Sequence, residues 1–209
     1  MTKPMDEIKD RVAAVVVTYN REEMLRQCLV SLQKQTMPCD ILVVDNASTD
    51  DTQALVQRAA QHDASIFYRN TGENLGGAGG FNFGMRWAVE AGYAFVWVMD
   101  DDCFPEPVAL EKLLDADRLL QGEYGWLSSV ALWTDGRECR MNRPKIKKNF
   151  YDRIELLRDG ILLAEQATFV SLFLKAETIR AVGLPVKEFF IWGDDIEYTR
   201  RITIREKMP

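Results

Sequence analysis

The stretch Tyr93-Ala94-Phe95-Val96-Trp97-Val98-Met99 is apolar throughout and runs straight into three aspartates, Asp100, Asp101 and Asp102. A short unbroken apolar run marks a strand buried on both faces, the condition of a strand inside an α/β sheet. Ligands of such sheets sit at the carboxyl ends of the strands, where the three acids emerge. Carboxylates crowded together repel one another, so a cation is their natural companion, and hard oxygen ligands suit Mg²⁺ or Mn²⁺. The plainer alternative, which the triplet alone leaves open, is an acidic turn capping the next helix.

Three further runs share this design. Residues 11–17, Arg-Val-Ala-Ala-Val-Val-Val, form a first strand that ends in Thr18-Tyr19-Asn20. Leu25, Cys28, Leu29 and Leu32 then recur at helical spacing, with Cys28 on the buried stripe. Met37-Pro38 breaks that helix, and Ile41-Leu42-Val43-Val44 forms a second buried strand closed by Asp45-Asn46-Ala47-Ser48-Thr49-Asp50. Ser48, Thr49 and Asp50 are good N-caps for a helix reaching about Ala60. A short strand from Ser65 to Arg69 leads into a glycine-rich turn, Gly76-Gly77-Ala78-Gly79-Gly80, and a helix running to about Ala91. This alternation predicts a doubly wound α/β sheet. Right-handed crossovers bring Asn20, Asp45, the glycine turn and Asp100 to Asp102 to one edge.

Beyond Asp102 the pattern loosens. Pro105-Glu106-Pro107 opens a helix with Leu110, Leu113 and Leu114 on its apolar side. Residues 125–132 read as a strand, 133–150 as a polar, mobile connection, and 168–174 as another strand. A short helix, a turn at Gly183-Leu184-Pro185 and the stretch Phe189-Phe190-Ile191-Trp192-Gly193-Asp194-Asp195-Ile196-Glu197 complete the chain.

Composition narrows the function classes. A net charge of −6 argues against a general nucleic-acid binder. The segment Arg137 to Lys148 runs the other way, with six cations against Glu138; it is either a solvated loop or a landing strip for a phosphorylated acceptor or an anionic membrane surface. No apolar run approaches the roughly 18 residues of a membrane span, and MTKPMDEIKD has no apolar signal region. Cys28, Cys39, Cys103 and Cys139 are irregularly spaced, with only His62 to join them in a zinc site, and fit a reducing cytoplasm.

The strand ends carry the chemistry. Asp45 and Asn46 stand where a base or ribose can be read by hydrogen bonds, although Asp-Asn is also common turn chemistry. The glycine turn allows close backbone approach and feeds a helix N-terminus suited to anions. It lacks the GK[ST] of a P-loop, and it follows the third strand, where a dinucleotide fingerprint follows the first.

Taken in order, these segments resemble the family 2 glycosyltransferases of the GT-A fold, a Rossmann-like, mostly parallel sheet flanked by helices. The matching motifs are Thr18-Tyr19-Asn20; Val44-Asp45-Asn46-Ala47-Ser48-Thr49-Asp50; Asn74-Leu75-Gly76-Gly77-Ala78-Gly79-Gly80-Phe81-Asn82, one residue longer than the commonest spacing; and Asp100-Asp101-Asp102 for the D-x-D metal motif. The resemblance runs from residue 12 to about residue 201, as a single GT-A domain. The glycine run, the full triplet and Trp192-Gly193-Asp194-Asp195 are similar to a narrower branch of bacterial rhamnosyl- and galactofuranosyltransferases that build cell-surface polysaccharides.

The resemblance implies inverting transfer of a sugar, rhamnose or galactofuranose, from a UDP or dTDP donor to a glycan or lipid-linked glycan. It further implies a cytoplasmic enzyme working without nucleic acid, peripherally at the inner face of the plasma membrane. In such a site Asp100 and Asp102 hold Mn²⁺ or Mg²⁺, and Asp101 contacts the sugar or ribose. Asp45 reads a pyrimidine flanked by Thr18, Tyr19 and Asn20, with Asn46 beside it. Asn74, Gly76, Gly77 and Asn82 belong to the donor pocket. Asp195, or failing it Asp194, is the base, and Trp192 stacks on an acceptor sugar; capping of the last helix and core packing are the respective alternatives. The chain ends fourteen residues after Asp195, whereas family members continue and often supply a metal-binding histidine there. Either the chain is truncated, or water and pyrophosphate complete the coordination. A non-catalytic nucleotide-sugar-binding module and a nucleotidyltransferase are the competing classes; the latter normally has a glycine- and lysine-rich loop where this chain has Thr18-Tyr19-Asn20-Arg21.

Overall fold

The computed structural model describes residues 11–205. The readings of residues 1–10 as leaderless and of the tail from 206 to 209 lie outside them. Strands β1 (Val12–Thr18) and β2 (Asp40–Asp45) are buried at every position. With β3 (Ile66–Asn70) and β4 (Phe95–Asp100) they form the parallel part, ordered β3-β2-β1-β4, of a six-stranded sheet that β8 (Leu172–Lys175) and β5 (Leu127–Ser128) extend beyond β4. Strand side chains alternate between faces, and here both faces are covered. Val15, Val17, Leu42, Val44, Val96 and Val98 point to one side, against helix α3 (Gly76–Glu90). Val16, Ile41, Val43, Trp97 and Met99 point to the other. There they meet α1 (Glu22–Gln33), α2 (Thr52–His62) and α4 (Ala109–Leu119). Cys28 lies on the buried stripe of α1, as the periodicity predicts.

The glycine run departs from expectation. It is the opening of α3 itself and not a turn ahead of a helix. A Cβ at Gly84 would fall 2.3 Å from Val15 Cγ1 and 3.0 Å from Val44 Cγ2, and one at Gly80 would fall 2.5 Å from Val17 Cγ1. Glycine therefore lets the helix ride directly on the central strands. Gly84→Val is expected to destabilise by about 3 kcal/mol, because overpacking against a fixed central strand outweighs the small gain in helix propensity. A denaturant midpoint equal to that of the wild type would contradict this packing.

The second half is irregular. The strand expected over 125–132 shrinks to β5 (Leu127–Ser128), and that over 168–174 to β8 (Leu172–Lys175). β8 runs antiparallel to β4, and β5 antiparallel to β8. Ser171 limits β8: its φ is 55°, and its hydroxyl bonds Trp97 Nε1 and Ser129 Oγ. The segment expected to be a polar, mobile connection is hydrogen-bonded instead. Leu132 bridges Glu138 across a tight turn, and β6 (Lys145–Ile146) pairs with β7 (Ala164–Gln166). Helices α5 (Ala176–Val182) and α6 (Asp194–Arg205) follow; Tyr198 and Ile202 of α6 are fully buried in the core on the α3 side. Among the described residues no helix is long and apolar enough to cross a membrane.

Candidate active site

Sheet register brings the polar strand ends together. Thr18 pairs with Asp45, Asp45 with Asn70, and Val17 with Asp100, so the three parallel junctions end side by side. The edge is the topological switch point, since the chain leaves β1 toward β2 and returns beyond β1 as β4. The convergence expected from the crossovers is therefore present.

The triplet fans out from this edge. Thr18 Oγ1 donates to Asp101 Oδ2 at 2.7 Å. Arg21 Nη1 donates to Asp102 Oδ2 at 2.8 Å and reaches Asp101 Oδ1 at 3.3 Å. Asp101 is buried, whereas Asp102 is exposed. Burial, then the Asp102 and Asp101 charges, push the Asp100 carboxyl up to about 7 against the pull of Arg21; Asp194 adds to the rise. Burial also raises Asp101, offset by the Thr18 hydrogen bond and by Arg21. Asp101 is thus engaged by Thr18 and Arg21 in this structure.

Among the described residues no three His, Cys, Asp or Glu side chains converge tightly enough to hold a metal. The donor chemistry still fits one arrangement: two hard carboxylates, Asp100 and Asp102, for an ion that leaves its other positions to water and phosphate oxygens, as Mg²⁺ does. Asp102 would then exchange Arg21 for the ion.

Next to the triplet two loops clasp each other. Asn20, at φ 52°, accepts from Thr49 N through Oδ1 at 2.7 Å, and its own N–H donates to Ser48 Oγ at 2.9 Å. Tyr19 is left exposed. Asp45 is fully buried: Oδ1 accepts from Ser48 N at 2.8 Å, and Oδ2 accepts from Tyr68 Oη at 2.6 Å and from Asn70 Nδ2 at 3.4 Å. Burial and the bond to Asp45 push the Tyr68 hydroxyl up to about 12. A carboxylate so engaged organises the turn, and its burial means that a base reaches it only once the surrounding side chains open. Asn46 is buried too; Nδ2 donates to Gly76 O at 2.9 Å while Oδ1 has no partner.

The start of α3 faces the late loop. Asn74 Oδ1 accepts from Gly76 N at 2.9 Å, closing the turn before the helix. Gly76, at φ 69°, has the Phe190 carbonyl where a Cβ would be, and that carbonyl accepts from Ala78 N at 3.1 Å. Of Gly76, Gly77, Gly79 and Gly80 in the run, only Gly77 opens on free space. Asn82 donates to Pro185 O at 2.6 Å and so ties α3 to the late segment. The helix terminus proposed for anions is therefore partly occupied by the chain's own backbone.

In that loop Phe190 and Trp192 both have positive φ, 59° and 77°, a strained arrangement for bulky residues. Trp192 is 79% exposed, which removes the core-packing alternative. Asp194 and Asp195 open α6. Asp194 is buried, with its carboxyl raised by burial and by Asp195. Asp195 is half-buried and likewise raised by burial, and its Oδ1 accepts from Ile196 N at 2.6 Å.

Three participants escaped sequence reading. Arg21 directly follows Thr18-Tyr19-Asn20, and its position was the available signal. Tyr68 was hidden in a short strand. Phe190 acts through its carbonyl, which no side-chain pattern encodes.

Comparison with known proteins agrees with this architecture. The family model described as glycosyl transferase family 2 matches residues 13–120, a span that stops short of Asp194 and Asp195. The galactofuranosyltransferase GlfT1 of Mycobacterium tuberculosis is 32% identical over 96% of this chain and 66% of its own length. An undecaprenyl-phosphate mannosyltransferase of Micrococcus luteus is 31% identical over 91% of this chain and 77% of its own. Among solved structures, the mannosyltransferase PcManGT of Pyrobaculum calidifontis, in complex with GDP-Man and Mn²⁺, superposes with a TM-score of 0.62 at 23% identity. That match covers 91% of this chain and 51% of that one. The chain thus spans about two thirds of the length of such curated relatives and about half of the solved neighbour.

Proposed function

Because the chain belongs to glycosyl transferase family 2 and has the GT-A fold, we propose that it is a single GT-A domain that transfers a sugar, with inversion, from a nucleoside diphosphate to a glycan or lipid-linked glycan. The observation that carries the reading is the sheet edge, where Asp100 and Asp102 stand beside the Thr18–Asn20 and Asp45–Asn46 loops. UDP or dTDP carrying galactofuranose or rhamnose is the favoured donor, supported by the galactofuranosyltransferase relative. The reaction then belongs at the cytoplasmic face of the plasma membrane.

In this reading Asp100 and Asp102 hold Mn²⁺ or Mg²⁺. When bound, the ion offsets the charge that builds on the departing diphosphate. Asp101, braced by Thr18, keeps the triplet in place, and Arg21, once released from Asp102, is aimed at the same phosphates. Tyr19 and Asn20 flank the base, and Gly77 leaves room for the donor. Asp195 takes the proton of the attacking acceptor hydroxyl at a carboxylate oxygen. Its raised pKa makes it a stronger base than an exposed aspartate. Asp194, raised by burial and by Asp195, adds a lesser charge effect at Asp100. Trp192 offers its exposed face to the acceptor sugar.

The test is the anomeric configuration of the product made from a galactofuranosyl or rhamnosyl donor, read by NMR. Inversion is expected, and retention would refute the single-displacement scheme. Donor binding without turnover would favour a non-catalytic module. Pyrophosphate release from a nucleoside triphosphate would favour a nucleotidyltransferase.

A further inference from the structure

Residues 130–162 hold nine of the 22 exposed large apolar side chains among the described residues. The same stretch carries eight lysines and arginines against five acids, in a chain whose net charge is −6. Val130 and Met141 are each 73% exposed and Tyr151 is 69% exposed, with Leu132 and Trp133 more than half exposed. These side chains are fixed on one small folded unit. Leu132 bridges Glu138, Asn142 Nδ2 bonds Thr168 Oγ1 at 3.1 Å, and Lys147 N bonds Leu163 O at 3.0 Å beside the β6–β7 pair. The unit adjoins α6, whose Thr199 hydroxyl bonds Ala167 at 3.2 Å. Its cations are easily redirected: Arg137, Arg143, Lys145 and Arg153 meet acids only in exposed or half-exposed pairs, and Arg140, Lys148 and Arg158 join no salt bridge among the described residues.

We infer that this unit is a docking surface for an anionic lipid bilayer. Aliphatic and aromatic side chains interleaved with cations suit the headgroup boundary, where the apolar parts enter the acyl region and the cations meet lipid phosphates. Seven of the nine exposed apolar side chains are aliphatic, with only Trp133 and Tyr151 able to stack on a nucleic-acid base, and an excess of positive charge disfavours pairing of the patch with itself in a second copy. The surface stands on these residues alone and gives the proposed acceptor a place to be met. It adjoins, through β7, the helix α6 that opens on Asp194 and Asp195, which puts a docked lipid-linked glycan on the side of those acids.

The full chain should co-sediment with phosphatidylcholine vesicles containing phosphatidylglycerol, stay in solution with phosphatidylcholine alone, and be released by salt. Arg140→Glu with Lys148→Glu should weaken binding by about tenfold or more, since each cation near a charged surface counts. Val130→Ser with Met141→Ser, both at exposed positions that do not bear on folding, should weaken it several-fold. Failure of the wild type to bind phosphatidylglycerol vesicles, or wild-type binding by both variants, would overturn the inference. Capture of an RNA homopolymer through these cations without vesicle binding would reassign the surface and also overturn it. None of these readouts uses donor or acceptor, so failure here leaves the transferase reading standing.

Discussion

Asp195→Asn should lower kcat by about 10²–10⁴-fold, the range that a positioned general base contributes, with donor affinity unchanged. Asparagine keeps the shape and still accepts from Ile196 N, so α6 retains its first turn. The amide cannot take the acceptor's proton at neutral pH. Single-turnover transfer with donor bound beforehand separates chemistry from binding. An active Asp195→Asn enzyme would remove Asp195 from the role. Asp194→Asn is the informative companion, because Asp194 is more enclosed and its charge is felt at Asp100. If the Asp194 variant alone is inactive, the base and its neighbour exchange places.

The second large effect belongs to Asp100→Ala combined with Asp102→Ala. Loss of a residue that merely supports a metal ligand costs about 10–100-fold in affinity, so loss of both proposed ligands should exceed about 100-fold in Mn²⁺-dependent binding of the nucleoside diphosphate. Stability should move the other way. Burial and neighbouring carboxylates raise the Asp100 pKa, so its ionised form opposes folding. Without metal, the double variant should therefore melt no lower than the wild type, measured by scanning calorimetry. A variant that melts much lower while keeping Mn²⁺-dependent affinity would reverse both assignments.

These expectations depend on a site that was legible in one half of the chain and obscure in the other. β1, β2 and β4 are readable because burial on both faces demands unbroken apolar runs, and parallel register then forces Thr18, Asp45 and Asp100 to one edge. β5, β6 and β7 span two or three residues, too few to display any period. The glycine run was legible as a place of close approach, but its partner was not. Gly80 and Gly84 answer to Val17 and Val15, more than 60 residues earlier in sequence and adjacent only after folding. Asp45 marks a strand end, yet its enclosure by Tyr68 and Asn70 depends on β3 pairing with β2. The acids of α6 stand out as a pair, whereas the coupling of Asp194 to Asp100 appears only in three dimensions.

The coupling also gives Arg21 a mechanical part. It bonds Asp102 and reaches Asp101, and those contacts raise its own pKa through the Asp102 bond first. A divalent ion held by Asp100 and Asp102 would compete with Arg21 for the Asp102 carboxylate. Metal loading and a newly available guanidinium would then arrive together, which suits a ligand whose phosphates need both.

The most direct measurement is calorimetric titration of the chain with UDP, dTDP, GDP and CDP, each with and without Mn²⁺. Binding of a pyrimidine diphosphate, UDP or dTDP, is expected to require the ion and to disappear in the Asp100→Ala, Asp102→Ala variant. Equal affinity with and without Mn²⁺, or no binding of any of the four, would contradict the claim that the strand-end acids form a metal-assisted donor site.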